Sequence, residues 1–113
     1  MSEFHNTKPQ EEAHKKVERE RLRHLNDIRK VVNFPEGRRL YFFMLKEAGV
    51  FRSSFTGNST TFFNEGARNI GLIMLRDLME AKPDSLTQMM QENYSEIKSF
   101  QKLQEKNNDR SNS

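Results

Sequence analysis

The apolar residues of this 113-residue chain are concentrated in one stretch, from Phe34 to Ala81. Apolar side chains make up 34% of the sequence, which is below the roughly 45–50% typical of globular proteins. A chain with so few apolar residues can bury only one modest core, and most of that core has to come from this stretch. We therefore expect one ordered region with charged segments on either side.

The charged residues are spread evenly along the chain. The net charge is +3, yet residues 1–33 hold eight Lys/Arg against six Asp/Glu, residues 34–81 six against five, and residues 82–113 five against five. Binding to nucleic-acid phosphates usually needs several unopposed cations. No segment predicts a strong positive field, so the basic pI of about 9.3 is weak support for a nucleic-acid partner.

The N-terminal third predicts a long helix. Residues 1–10 have no periodicity and are predicted to be disordered, whereas residues 11–33 contain strong helix formers without glycine or proline and are predicted to form a charged amphipathic helix. Its apolar residues recur every three or four positions and are Leu22, Leu25, Ile28 and Val32. Only the second half of this helix has a face to bury.

Residues 34–101 are predicted to form a helical core domain. Pro35 suits the start of a second helix, which ends at Ala48–Gly49. Its apolar run at 40–45 is also compatible with a buried strand, but the charged residues on both sides favour a helix. A third helix is predicted over about Thr60–Ala81, and it pairs with the second in an antiparallel hairpin.

Asp84 or Ser85 can cap a fourth, amphipathic helix. Residues 102–113 have little to bury and are predicted to be a disordered tail. The predicted fold is therefore all-α: a small helical bundle with a central antiparallel helical hairpin, a long N-terminal helix and a disordered C-terminal tail.

The sequence offers little for catalysis or metal binding. There is no cysteine, and the three histidines, His5, His14 and His24, form no ligand cluster. His14 and Glu18 have the spacing to share a metal, but a solvated helix face is the favoured interpretation. We predict no catalytic residue, no metal site and no cofactor, and we do not expect an enzyme.

Two glycines lie inside the third helix, Gly66 and Gly71, where each costs about 0.8–1 kcal/mol relative to alanine. The favoured interpretation is that another helix packs closely at both positions. The alternative is a groove for a partner, with Asn64, Arg68 and Asn69 supplying polar contacts at its rim.

The cations and loop aromatics nearest the predicted core are further candidates. Arg38 and Arg39 are expected mainly in ion pairs with neighbouring acidic residues, whereas Arg52, in a loop, is the best candidate for an external contact. Phe51 and Phe55 are expected to cover the edge of the core, and the alternative is that they stack against nucleic-acid bases. The candidate interaction residues are Arg38, Arg39, Phe51, Arg52, Phe55, Asn64, Arg68 and Asn69.

Three blocks of the sequence resemble a known family as a set. They are Glu36-Gly-Arg-Arg-Leu40, Glu47-Ala-Gly-Val-Phe-Arg-Ser-Ser-Phe-Thr-Gly-Asn58 and Phe63-Asn-Glu-Gly-Ala-Arg-Asn-Ile-Gly-Leu72. Over about Val32 to Met90 the chain is similar to a family of small tailed-bacteriophage proteins, named after a gene of a Bordetella phage and generally encoded among virion-assembly genes. Members commonly have a second basic residue in the third block, where this chain has Ala67.

The resemblance implies a phage origin and a connection with head, portal or ejection-apparatus assembly, without carrying over any functional residue. We expect a non-enzymatic assembly or structural component that contacts copies of itself or another virion protein. The alternatives are a nucleic-acid-binding accessory in genome packaging, acting through the N-terminal basic helix and Arg52, and a small regulator of a host protein. No secretion signal or membrane span is visible at the sequence level, so the host cytoplasm during infection or the virion is the expected location.

Overall fold

The computed structural model describes residues 7–52 and 60–111, and that part of the chain is built from α-helices without any strand. The helices are α1 (Thr7–Val32), α2 (Pro35–Glu47), α3 (Thr60–Ala81) and α4 (Ser85–Ser111). The all-α prediction is confirmed, and the apolar run at 40–45 is helical. None of these helices is both long enough and apolar enough to span a membrane.

Helix α2 ends in a glycine turn at the position that the sequence predicts. Gly49 has a φ of +83°, which an L side chain rarely adopts. The Gly49 N–H donates to the carbonyl of Lys46 at 3.0 Å, and the Val50 N–H donates to that of Leu45 at 3.2 Å. These two bonds are the Schellman pattern. They turn the chain so that Val50 and Leu45 are both buried.

The core lies where all four helices meet. Helices α2 and α3 pack against each other and against both α1 and α4. Tyr41 of α2 donates its hydroxyl to the Met74 carbonyl of α3 at 2.7 Å, while Ala48, later in the chain than Tyr41, lies beside Gly71, earlier than Met74. Because the contacts advance along α2 while they go back along α3, the two helices are antiparallel. The buried apolar residues are Leu25, Ile28, Val32, Tyr41, Phe42, Leu45, Val50, Leu78, Ala81 and Met89.

The second half of α1 belongs to this core, so the core extends beyond the predicted range of 34–101. Leu25, Ile28 and Val32 are buried as expected, but Leu22 is exposed, which corrects its assignment to the buried face. At 100° per residue Leu22 lies about 90° from the centre of the stripe that the other three form. Leu22 therefore lies on the outward side of α1, away from the core.

Both ends of the helical region reach further than the sequence indicates. Helix α1 begins at Thr7 rather than near Glu11, and α4 continues to Ser111, past Lys102, where the sequence predicts a disordered tail. Residues 101–110 include strong helix formers and no glycine or proline, which allows the helix to continue. All side chains from 101 to 110 are exposed, in agreement with the expectation that this segment has nothing to bury.

The two glycines of α3 lie in opposite environments. A Cβ added at Gly71 would lie 2.5 Å from Val50 Cγ2 and 2.7 Å from Ala48 Cβ, so the chain that follows α2 packs closely there. At Gly66 an added Cβ would meet no atom of the described residues within 4 Å. The prediction of close packing at Gly66 is therefore corrected: this part of α3 faces outward, beyond the reach of its neighbours.

Alanine at these two positions should have opposite effects on stability. We expect Gly66→Ala to stabilise the protein by about 0.5–1 kcal/mol, because alanine favours the helix and has room. Gly71→Ala should destabilise it by about 1–2 kcal/mol. The steric overlap of the new methyl group with Ala48 and Val50 costs more than the higher helix propensity of alanine contributes. Urea unfolding of both variants measures the difference. Equal stabilisation by the two substitutions would contradict the close contact at Gly71.

Candidate functional site

A groove runs between α2 and α4 and has a volume of about 420 Å³. Six residues of α2 and four of α4 line it: Arg38, Arg39, Leu40, Phe42, Phe43, Lys46, Met89, Glu92, Asn93 and Glu96. We call it the α2–α4 groove. Its walls are apolar in the middle, with cations on the α2 side and carboxylates on the α4 side. Such a surface suits an apolar protein segment with polar flanks.

Arg38 links three helices at the base of the groove. Its Nε donates to the two carboxylate oxygens of Glu92 at 2.9 and 3.1 Å, and its Nη1 donates to the Val32 carbonyl at 3.0 Å. Val32 is the last residue of α1, where helix carbonyls have no partner within the helix. Arg38 therefore caps α1 while it ties α2 to α4. An ion pair is what the sequence suggests for Arg38, but the partner lies in α4 and not among the nearby acidic residues.

The aromatic side of the groove is built around Phe42. The Lys46 ammonium lies 5.0 Å from the centre of the Phe42 ring, a cation–π contact, and the Phe51 ring lies 5.7 Å away at an angle of 31°. Phe51 thus covers part of the core, which supports the expectation from the sequence, although its outer side is exposed. Phe55, the other loop aromatic, lies outside the described residues.

A smaller cavity of about 210 Å³ lies where the end of α2 meets the start of α3. Two predicted site residues, Arg52 and Asn64, line it together with Phe63. The Arg52 guanidinium lies 3.5 Å from the Glu47 carbonyl and is exposed. The structure thus brings together the loop cation and the rim asparagine that the sequence singles out separately.

Of the remaining candidates, Arg39 lines the α2–α4 groove, whereas Arg68 and Asn69 lie apart from both cavities. Arg39 is exposed and forms a weak pair with Glu36 at 4.0 Å. Arg68 is partly buried, and within the described part of the chain its Nε has no hydrogen-bond partner. Asn69 is exposed on α3. The eight candidate interaction residues therefore do not form one site.

A charged cluster centred on Asp77 lies between α1 and α3. The Asp77 side chain is only 6% exposed, and it pairs with Arg21 at 2.8 Å, with His24 Nε2 at 3.1 Å and with Arg76 at 3.1 Å. Arg21 also pairs with Glu80. Because Arg21 and Asp77 are far apart in sequence, no local spacing reveals the pair.

The contacts of this cluster and the burial of its surroundings shift the pKa values of Asp77 and Tyr41. The hydrogen bond from Arg21 holds the pKa of Asp77 below its usual value, against the opposing effect of burial, and the bonds from His24 and Arg76 act in the same direction. Burial raises the pKa of Tyr41 to about 12, and the charge of Asp77 contributes to that increase. Asp77 is therefore an ionised structural carboxylate at neutral pH.

Asp77→Asn is expected to destabilise the protein by about 1–3 kcal/mol at pH 7, because it removes the charged acceptor that contacts Arg21, His24 and Arg76. The folded pKa of Asp77 lies below the unfolded value of about 3.9, so its contribution is present above that pH and is lost as the pH falls through the folded pKa. The stability difference between wild type and Asp77→Asn should therefore narrow from pH 7 to pH 3. Denaturant unfolding at both pH values measures it.

Glu80→Gln is the matched control for this experiment. Glu80 contacts the same Arg21, but its side chain is 54% exposed, and exposed ion pairs contribute about 0–1 kcal/mol. We expect Glu80→Gln to cost less than Asp77→Asn at pH 7. Equal and small effects of the two variants, independent of pH, would contradict the structural role of Asp77.

The described residues show no group of three or more metal-ligating side chains that could hold an ion. His14 and Glu18 do approach each other, with Nε2 and Oε1 3.1 Å apart on the exposed surface of α1. In the described part of the chain, the apolar α2–α4 groove and the charged cluster around Asp77 both lie between helices.

Comparison with known proteins identifies the group to which this chain is related. A family model described as Bbp19-like phage protein matches residues 28–91, which are 64 of the 113 residues. The match contains all of α2 and α3, the buried end of α1 and the start of α4 with Met89, whereas the other groove-lining residues of α4 lie just beyond it. Searches of curated proteins and of solved structures found no match. The resemblance seen in the sequence is confirmed, and the chain belongs to the family of Bbp19-like phage proteins.

Proposed function

We propose that this chain is a non-enzymatic component of tailed-phage virion morphogenesis that acts through protein–protein contacts at the head, portal or ejection apparatus. The observation that carries the proposal is the apolar surface that the fold leaves uncovered. Within the described part of the chain, eighteen large apolar side chains are exposed, against ten apolar residues buried in the core. Single exposed apolar residues are ordinary, but contiguous groups of them mark interaction surfaces.

The shape of the protein supports the same proposal. Its radius of gyration is 21.7 Å and its extents are 91 × 39 × 15 Å, whereas a compact domain of about 100 residues has a radius of gyration of about 13 Å. The long helices α1 and α4 extend away from a small core. A thin, elongated helical protein offers much surface to a partner and encloses little volume for a substrate.

The partner we propose is a second copy of the chain or another virion protein, met in the host cytoplasm during infection and carried into the particle. A small core is only marginally stable alone, and a partner that binds the folded state adds stability by mass action. The proposal includes no cofactor, no small-molecule substrate and no membrane.

Several cations that a nucleic-acid partner would need are engaged within the fold. Arg21 pairs with Asp77 and Glu80, and Arg29 donates to the Ala81 carbonyl at 2.6 Å. Arg38 is tied to Glu92. Cations committed to carboxylates and carbonyls release few counterions from DNA. This engagement favours a protein partner over a nucleic acid.

Quantitative mass spectrometry of purified procapsids and mature virions tests the proposal. We expect the protein in at least one of the two particles at a fixed ratio to the major capsid protein. A phage-encoded replication protein, which should be absent from purified particles, is the control for contamination. Presence in procapsids alone supports an assembly factor, and presence in virions supports a structural or ejected component. Absence from both particles would overturn the proposal and support a regulator of a host protein.

A further inference from the structure

The outward face of α2 carries a row of large apolar side chains that no described helix covers. Leu40, Phe43 and Met44 are 59%, 53% and 40% exposed. Leu40 and Phe43 lie on the side of α2 opposite Leu45, which is fully buried, and Met44 lies one turn after Leu40 on the same flank of the helix. Leu40 and Phe43 also form one wall of the α2–α4 groove, so the apolar row and the groove make one continuous surface.

Charges of opposite sign lie at equal distances on either side of Phe43. Arg39 is four residues before it and Glu47 four residues after it, so the three side chains follow one line along the helix. Arg39 is exposed, and its only ion pair with a described residue is the weak contact with Glu36 at 4.0 Å. Glu47 is also exposed, and its carboxylate has no ion pair within the described part of the chain.

This arrangement is complementary to itself. In an antiparallel helix pair with a two-fold axis at Phe43, the residue four before the axis on one helix lies opposite the residue four after it on the other. Arg39 of each copy then faces Glu47 of the second copy, and the two Phe43 rings meet between the two ion pairs. An apolar centre with charged flanks is the usual anatomy of a protein interface.

We propose that the outward face of α2 is a self-association surface, on which two copies of the chain pair antiparallel about Phe43 with reciprocal contacts between Arg39 and Glu47. This proposal rests on the proposed function, and it names the partner of the α2–α4 groove as a second copy of the chain. The pairing covers the exposed apolar row and one wall of the groove in both copies.

The charges also select this register over its neighbour. A shift that set Leu40 of one copy against Phe43 of the other would place Glu36 opposite Glu47, and two such like-charge contacts would form per dimer. Like charges at close range disfavour that alignment. The register centred on Phe43 instead pairs a cation with an anion at both ends.

A charge-exchange experiment on the full-length chain tests the proposal. Sedimentation equilibrium should show a wild-type dimer, and Arg39→Glu or Glu47→Arg alone should weaken it on the order of ten-fold, because each converts two attractive contacts into two repulsive ones. Mixing the two single variants should restore the affinity through a heterodimer, in which both contacts again have opposite charges. The double variant, with Arg39→Glu and Glu47→Arg, should dimerise like wild type.

Matched apolar variants locate the surface independently of charge. Phe43→Asp should abolish the dimer, whereas Ile70→Asp, at a similarly exposed apolar position on α3, should leave it intact. Far-UV circular dichroism and thermal unfolding confirm that each variant is folded. Because both side chains are exposed, the substitutions are compatible with the helical core.

Three outcomes would overturn the self-association surface. They are a wild-type monomer at all concentrations, a dimer insensitive to Phe43→Asp, and failure of the mixed single variants to associate more tightly than either alone. None of these removes the proposed function, which depends on the presence of the protein in procapsids or virions. Conversely, a charge-dependent dimer that is absent from both particles would keep this interface and overturn the proposed function.

Discussion

Replacement of Gly37 by alanine is expected to destabilise the protein by about 3 kcal/mol or more. Gly37 lies in the first turn of α2, and only Asn33 and Phe34 separate α2 from the end of α1. A Cβ added at Gly37 would overlap the backbone carbonyl of Val31. A side chain can rotate away from a new methyl group, but a helix backbone can yield only if α1 and α2 move apart.

Thermal unfolding followed by circular dichroism measures this effect, with Glu36→Ala as the control. Glu36 is exposed in the same turn, so its replacement should change stability by no more than about 0.5 kcal/mol. Alanine favours helices over glycine by about 1 kcal/mol. If that preference alone operated, Gly37→Ala would stabilise the protein, and such a result would show that α1 and α2 are less close than the structure indicates.

Replacement of Arg38 by alanine should destabilise the protein by about 3 kcal/mol. It would leave the Glu92 carboxylate and the Val32 carbonyl without the donor that serves both. Loss of one partner from a buried ion pair typically costs 3–5 kcal/mol, and the lower end applies here because the Glu92 side chain is 33% exposed. A loss of 3 kcal/mol corresponds to a fall in Tm on the order of 15 °C for a domain of this size. Arg38→Lys should give an intermediate result, because lysine keeps the charge but cannot reproduce the two-pronged contact.

The neighbouring arginine provides the control. Arg39 is exposed and makes only the 4.0 Å contact with Glu36, so Arg39→Ala should change stability by less than about 0.5 kcal/mol. All samples have to be dilute enough for the protein to be monomeric, since Arg39→Ala also removes a contact of the proposed dimer and self-association raises apparent stability. Similar losses for Arg38→Ala and Arg39→Ala would contradict the difference in burial on which the role of Arg38 depends.

The positions of α2 and α3 follow closely from local sequence. Helix α3 spans Thr60–Ala81, the range that apolar periodicity and the following Lys82-Pro83 predict. Helix α2 ends where Ala48-Gly49 indicates, in a glycine turn with positive φ. These features depend on interactions within a few residues, and the sequence displays those interactions directly.

The candidate site was only partly predictable, because its contacts join residues that are far apart in the sequence. Arg38 and Arg39 are adjacent in sequence and equally basic, yet Arg38 is buried against Glu92, 54 residues away, whereas Arg39 faces solvent. Asp77 looks like an ordinary exposed helix residue until α1 brings Arg21 and His24 to it. Which of two neighbouring side chains points inward depends on how each helix is rotated against the others.

The sequence by itself determined the all-helical class, the bounds of α2 and α3, the glycine stop of α2 and the concentration of apolar residues in the middle of the chain. Only the tertiary structure decided that Gly71 contacts Val50 and that Gly37 lies against the Val31 carbonyl. It also decided that, among the described residues, none packs against Gly66 and none covers Leu40, Phe43 and Met44. The physical reason is that propensity, capping and periodicity act over one or two helical turns. Contacts between helices depend on the packing of the whole set, which no local pattern specifies.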